Sequence, residues 1–180
     1  GEIVQTLSYR DAPTGERYER LEGGWTWRSP GATDFPRWST ETAGVTAFAL
    51  PDAPGPPMAA LRNADRRIWL AGYTLTSAAV TEALIDAHRA GRSVRVLLEG
   101  QPVGGVSARE RRRLDRLVSA GVEVRVIGGP LARYRYHHAK YAIVDDRALV
   151  MSENWKAAGV GGNSSRGCGV IVDPPATGPS

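Results

Sequence analysis

Between Val45 and Ile127, short apolar runs alternate with amphipathic stretches that carry helix caps, and this rhythm constrains the fold more than any other feature of the chain. The apolar pattern predicts strands over 45–50, 68–74, 94–98 and 122–127, each short enough to be buried in a sheet. Helical spacing predicts helices over 58–67, 78–90 and 108–120. Ser77 and Ser107 stand where N-caps belong, and Gly91 and Gly121 where helices stop. Val80, Leu84 and Ala87 of one helix, and Leu114, Leu117 and Val118 of the next, are expected to face the core. A β-α-β-α-β-α-β order predicts an α/β fold with a mixed, mostly parallel sheet flanked by helices.

The rhythm then changes. Residues 136–144 and 148–154 read as two strands with no helix between them, followed by a loop carrying Gly159, Gly161 and Gly162 and a last strand over 169–172. Residues 174–180 are small, polar and Pro-rich, as in a disordered end or linker. Residues 1–42 differ in character from the rest of the chain. A strand signal around Ile3, Val4, Leu7 and Tyr9 gives way to turn formers and an irregular, Trp-rich stretch. We expect Trp25, Trp27 and Trp38 to fasten this linker to a neighbouring surface rather than to stack on a ligand. The organisation expected is therefore the end of a β-rich module with a linker over 1–42, a main domain over 43–173, and a tail over 174–180.

Charge and composition narrow the chemistry. The net charge of +4 and a pI near 9.6 are compatible with polyanionic partners. A single cysteine, Cys168, rules out an intrachain disulfide, and the three histidines show no zinc-ligand spacing, so no metal is expected. No apolar run approaches bilayer length and no signal peptide is visible; since the sequence starts at Gly1, the compartment stays open. Of 23 basic residues only Lys140 and Lys156 are lysines, and both lie in one short segment. The arginines from Arg109 to Arg116 are expected on a solvated helix face among Glu110 and Asp115; the alternative is a phosphate-tracking patch.

That lysine-bearing segment holds the densest cluster of reactive groups. If residues 136–144 and 148–154 form a hairpin with a three-residue loop, 145–147, then Lys140 lies opposite Ser152 and His138 opposite Asn154. Alternation along each strand puts all four side chains on one face, and His137 on the other. A loop one residue shorter or longer would move Ser152 and Asn154 to the wrong face. An imidazole can serve as nucleophile or general acid, a lysine can hold a phosphoryl oxygen, and hydroxyl and amide donors can complete a cradle for charge. The set fits phosphoryl transfer through a phosphohistidine, with no cofactor required.

The segment from His138 through Lys140 to Asp145 resembles the His-x-Lys-x4-Asp signature of the phospholipase D superfamily, followed by its Ser-x-Asn element at Ser152 and Asn154. In detail it looks most like archaeal-type phospholipase D-like proteins, some of which carry a lamin-tail β-sandwich; residues 2–9 with the Trp-rich linker resemble the end of such a module. The resemblance implies a metal-independent phosphodiesterase. It makes His138 the nucleophile or general acid, Lys140 and Asn154 phosphate ligands, Ser152 their support, and Asp145 a motif aspartate with a structural role. It also implies a second half, from the same chain or a homodimer partner. Nucleic acid is the favoured substrate and phospholipid the second; a degenerate binding or scaffold module is the competing class. Two departures stand out. Met151 replaces the usual Gly of the Ser-x-Asn element, and the carboxylate that orients the histidine from the last strand is missing near Arg166–Gly169. Glu99, at the carboxyl end of a predicted parallel strand, is the first candidate for that acid, ahead of Glu153 and Asp146.

Overall fold

The computed structural model describes residues 16–21, 24–28, 44–129, 132, 134–160 and 164–174. The chain divides into two compact units, Gly1–Thr40 and Glu41–Ser180. In the first, β1 (Arg17–Leu21) and β2 (Gly24–Arg28) form an antiparallel hairpin where an irregular linker was expected. The signal was the aromatic alternation on either side of a Gly-Gly pair: Gly24 adopts φ +116°, and Tyr18 packs on Trp25 at 5.4 Å and on Trp27 at 5.0 Å between ring centroids. The strand signal at residues 3–9, Trp38 and the tail from residue 175 lie outside the described residues.

The second unit is built on a seven-stranded mixed sheet in the order β3-β9-β8-β7-β4-β5-β6. Its elements in chain order are β3 (Val45–Leu50), α1 (Gly55–Arg62), β4 (Arg67–Gly72), α2 (Ala78–Arg89), β5 (Ser93–Glu99), α3 (Ala108–Ser119), β6 (Glu123–Ile127), β7 (Tyr141–Val144), β8 (Arg147–Met151) and β9 (Gly167–Val172). The mixed α/β architecture is as expected, but the sheet is not mostly parallel. Only β4–β5 and β5–β6 pair in parallel, while β3–β9, β9–β8, β8–β7 and β7–β4 are antiparallel. The reason is that β3, although followed by a helix, is placed at the far edge by pairing with β9 rather than beside β4.

Local chemistry explains most element ends. Ser77 Oγ accepts the Val80 N–H and Ser107 Oγ the Glu110 N–H, so both expected caps form. The first helix starts at Gly55, earlier than its apolar spacing suggested, because prolines fit the first turn, where no N–H is needed. It ends at Arg62, and Ala64 reaches the core from the following turn. Ile68, Leu70, Val94, Val96 and Leu98 alternate into the core with Leu84 and Leu117 of the helices, while Trp69 and Arg95 point to the opposite, exposed face. Val118 is exposed rather than core-facing; Leu117 takes the deepest position and Leu114 packs beside it. Trp155 is fully buried and its Nε1 donates to Ala71 O at 2.9 Å, which pins the chain after β8 onto β4. No helix among the described residues is long and apolar enough to cross a membrane.

Candidate active site

The β7–β8 hairpin differs from the sequence count by one residue. Val144 pairs with Arg147, so the turn is the two residues Asp145 and Asp146. Asp145 adopts φ +54°, a conformation Asp tolerates better than most residues. Its carboxylate accepts three backbone N–H groups, from Arg66 at 2.7 Å and from Asp65 and Arg67 at 3.0 Å each. Arg67 Nε donates to its carbonyl at 2.8 Å. This anchoring to the start of β4 fixes the tight turn. Burial alone would raise the Asp145 carboxyl, but the three amides and the Arg66 charge outweigh it and hold it below its ordinary range.

The shorter turn puts Lys140 opposite Met151, whose N–H donates to Lys140 O at 3.0 Å; it does not put Lys140 opposite Ser152. Hairpin pairing therefore does not bring Ser152 and Asn154 onto the face of His138. The chain instead leaves the hairpin after Met151. Ser152 N–H donates to Cys168 O at 2.9 Å, and Ser152 Oγ accepts the Cys168 N–H at 3.0 Å. Trp155 then bridges in parallel to Leu75, which sets Asn154 beside Thr74 just past the end of β4. Among the described residues no hydrogen bond joins Ser152 or Asn154 to His138 or Lys140. Asn154 Oδ1 and Thr74 Oγ1 are buried and have no protein partner. Met151 fits because its cross-strand neighbour is Gly169.

His138 and Lys140 meet directly, although residues 136–140 are not a strand. Lys140 is buried, and its Nζ lies 3.0 Å from His138 Nδ1 and donates to His138 O at 2.6 Å. The lysine is lowered from its ordinary value chiefly by burial; Glu153 opposes that shift and Lys156 adds to it. His138 itself is exposed. Its ring packs edge-on against Tyr73 with centroids 4.6 Å apart, and Tyr73 Oη accepts the Val103 N–H at 2.6 Å. Tyr73 was missed from sequence, since an aromatic at a strand end carries no chemical signature of its own.

Glu99 is buried at the carboxyl end of β5, but its oxygens do not orient the His138 imidazole. One accepts the His137 N–H at 2.5 Å and the other the Gln101 N–H at 2.8 Å. It thus holds the backbone that delivers His138. His137 is half-buried and lowered from its ordinary value, mainly by burial, with Glu99 opposing and Lys140 reinforcing. Glu153 sits nearer the lysine; it accepts from Ser165 Oγ at 2.8 Å and is packed where Gly159 and Gly167 leave room. Asp146 lies in the exposed turn and pairs with Arg66 and Arg67. Glu110, expected on the solvated face of α3, is buried and accepts the Leu75 N–H at 2.7 Å. Its carboxyl is raised by burial against the pull of that bond and of Lys156. The neighbouring arginines of α3 are mostly exposed. Among the described residues no group of three or more His, Cys, Asp or Glu could hold a metal ion.

The site therefore lies where the parallel strands β4 and β5 end, with a histidine and a buried lysine in contact. The chain carries this pair on a phospholipase D-like domain. The family model described as "Cardiolipin synthase, PLD-like domain" matches residues 58–177, and the chain belongs to this family. Solved structures agree on the fold. Nuc from Salmonella typhimurium, a phospholipase D family member, superposes with a TM-score of 0.65 at 18% identity, covering 74% of this chain and 85% of Nuc. NucT from Helicobacter pylori gives 0.60 at 16% identity, covering 76% and 89%. Phosphatidylserine synthase from Haemophilus influenzae gives 0.59 at 12% identity; 87% of this chain is covered, but only 39% of the synthase. No curated protein matches the chain significantly.

Proposed function

We propose that the protein is a metal-independent phosphodiesterase in which His138 is the nucleophile or the general acid of a site completed by a second phospholipase D-like half. The observation that carries this reading is the contact of the Lys140 ammonium with His138 Nδ1, at the carboxyl ends of β4 and β5, in a chain of this family. Lys140 occupies one ring nitrogen, so Nε2 is the atom left for chemistry. While Lys140 donates to Nδ1, the neutral ring carries its proton on Nε2. A phosphate anion is a better acceptor for the ammonium than an imidazole nitrogen is. Its binding draws Lys140 away, lets Nδ1 hold the proton and bares the Nε2 lone pair. Nε2 then attacks phosphorus, the P–O bond to the leaving alcohol breaks, and the alkoxide takes a proton from the histidine of the second half. Water, deprotonated by that same histidine, next cleaves the N–P bond and restores His138.

The other assignments rest on position. Asn154 and Ser152 are proposed phosphate ligands or supports: the Asn154 amide would donate through Nδ2, and Ser152 Oγ, which accepts the Cys168 N–H, keeps its own O–H to donate. Asp145 shapes the hairpin, and Glu99 positions the 137–138 backbone. The exposure of His138 supports a site closed by a second half, from the same chain or from a second copy. Nucleic acid is the favoured substrate on the net charge of +4, with phospholipid second. A degenerate binding module is the second reading, since among the described residues no carboxylate touches the imidazole. Hydrolysis of bis(p-nitrophenyl) phosphate with a chelator present tests the proposal. Turnover should survive the chelator and fall by about a thousandfold or more in His138→Ala. Dependence on added metal would sink the mechanism, and an inactive wild-type dimer would favour the binding module.

A further inference from the structure

Immediately before the two histidines the sequence reads Arg133-Tyr134-Arg135-Tyr136. Tyr134 and Tyr136 are left 60% and 39% exposed. Arg135 lies between them, with its guanidinium 5.5 Å from the Tyr136 ring centroid. Tyr136 meets Tyr73 edge-on at 6.3 Å and 87°, and Tyr73 in turn meets His138, so Tyr136 stands two ring contacts from the imidazole. Next to this strip a cavity of about 200 Å³ opens between the ends of β5 and β6. It is lined by Glu99, Gln101, Gly128, Gly129, Tyr134 and Arg135. That space is many times the ~10–15 Å³ a single water needs, and so has room for a planar heterocycle.

We propose that Tyr134, Arg135 and Tyr136, with this cavity, form a subsite for an unpaired nucleobase beside the phosphate held at His138, so that the preferred substrate is single-stranded nucleic acid. The proposal rests on the phosphodiesterase reading above and specifies its substrate. Exposed aromatic faces interleaved with guanidinium are what a stacking platform for single strands requires. A base inside a duplex has no free face to offer, so pairing would exclude it. An acyl chain would need an apolar groove; here the cavity wall carries a carboxylate, an amide and a guanidinium.

The test uses a 5′-fluorescein oligothymidylate and the same strand with one abasic residue next to the cleavable phosphate. Anisotropy should show the wild-type protein binding the intact strand about ten- to hundredfold tighter than the abasic one, the range expected for one stacked base. Tyr136→Leu, and separately Tyr134→Leu, should shrink that gap to within about threefold. Both tyrosines are at the surface, so two variants guard against a folding artefact, and unfolding curves matching wild type confirm the comparison. Equal binding of the two strands by wild type would overturn the subsite, as would an undiminished gap in both variants. Preference for anionic phospholipid vesicles over either strand would also overturn it, in favour of a lipid surface. Bis(p-nitrophenyl) phosphate carries no nucleobase, so its turnover reads the phosphodiesterase activity separately. Failure there with base-dependent binding intact would refute the reaction and leave the subsite standing.

Discussion

Asp145 is where a single atom tests how the turn builds the site. Oδ1 accepts from Arg66 and Arg67, Oδ2 from Asp65, and the residue itself sits at φ +54°. Asp145→Asn keeps the size and tolerates the backbone. Its carbonyl oxygen can retain the Oδ1 pair, but its NH2 would face the Asp65 N–H, two donors with no acceptor between them. One charge-assisted bond, worth ~1.5–3 kcal/mol, is lost and the other two fall towards neutral strength. The bonds lie near solvent, so the lower end applies and the cost is about 2 kcal/mol. Asp145→Ala loses all three bonds, a net ~1 kcal/mol each because water reaches the freed amides, and adds ~1 kcal/mol of left-handed backbone strain, for about 4 kcal/mol. With a urea slope of ~2 kcal/mol/M, the unfolding midpoints should drop by about 1 M and about 2 M. The acid limb gives an independent reading. The folded-state pKa of Asp145 is depressed, so its stabilisation is complete above the unfolded value of about 3.9 and is lost as pH falls through the folded one. The Asn variant should lack that part of the acid loss. An unchanged midpoint combined with lost turnover would mean that the carboxylate acts in the reaction and not in the turn.

Three further outcomes are expected. Glu110→Gln should keep the Leu75 bond through its carbonyl; because burial raises the Glu110 carboxyl, wild-type stability declines as pH climbs above about 4.5, and the variant should lack that decline in pH-dependent melting. Gly169→Ala should destabilise by about 1–3 kcal/mol in denaturant titrations, since an added Cβ would meet Val150 O at 2.7 Å, Met151 Cβ at 2.9 Å and the Phe48 ring. Tyr73→Ala removes the wall against His138 and should lower kcat by about tenfold with little change in KM, whereas Tyr73→Phe retains the ring and most of the rate.

Much of the fold was legible because it rests on local chemistry. The caps at Ser77 and Ser107 and the alternating strands from β4 to β6 needed only neighbours in sequence. What escaped depends on contacts between distant residues. The turn is two residues long because Asp145 is tied to the amides of Asp65, Arg66 and Arg67, nearly eighty positions away, and no hairpin count contains that constraint. The stretch before Lys140 is not a strand; there the lysine donates back to the carbonyl of His138, a contact that the alternation pattern does not contain. Glu99, the first candidate for the acid that orients the histidine, stands at the end of β5 but spends both oxygens on the backbone amides of Gln101 and His137. The antiparallel half of the sheet arises from β3 closing onto β9, a pairing that the βα rhythm does not announce. The contact between His138 and Lys140 is the part of the site for which adjacency in sequence sufficed.

If His138 lies at the reacting phosphorus, a covalent intermediate can be trapped on it. Rapid quenching of wild-type protein with a phosphodiester, followed by peptide mapping under alkaline conditions, should find an acid-labile phosphoryl adduct on His138 or on the corresponding histidine of the second half. In His138→Ala the turnover should be lost. An adduct on any other residue type, or undiminished turnover in His138→Ala, would contradict the account.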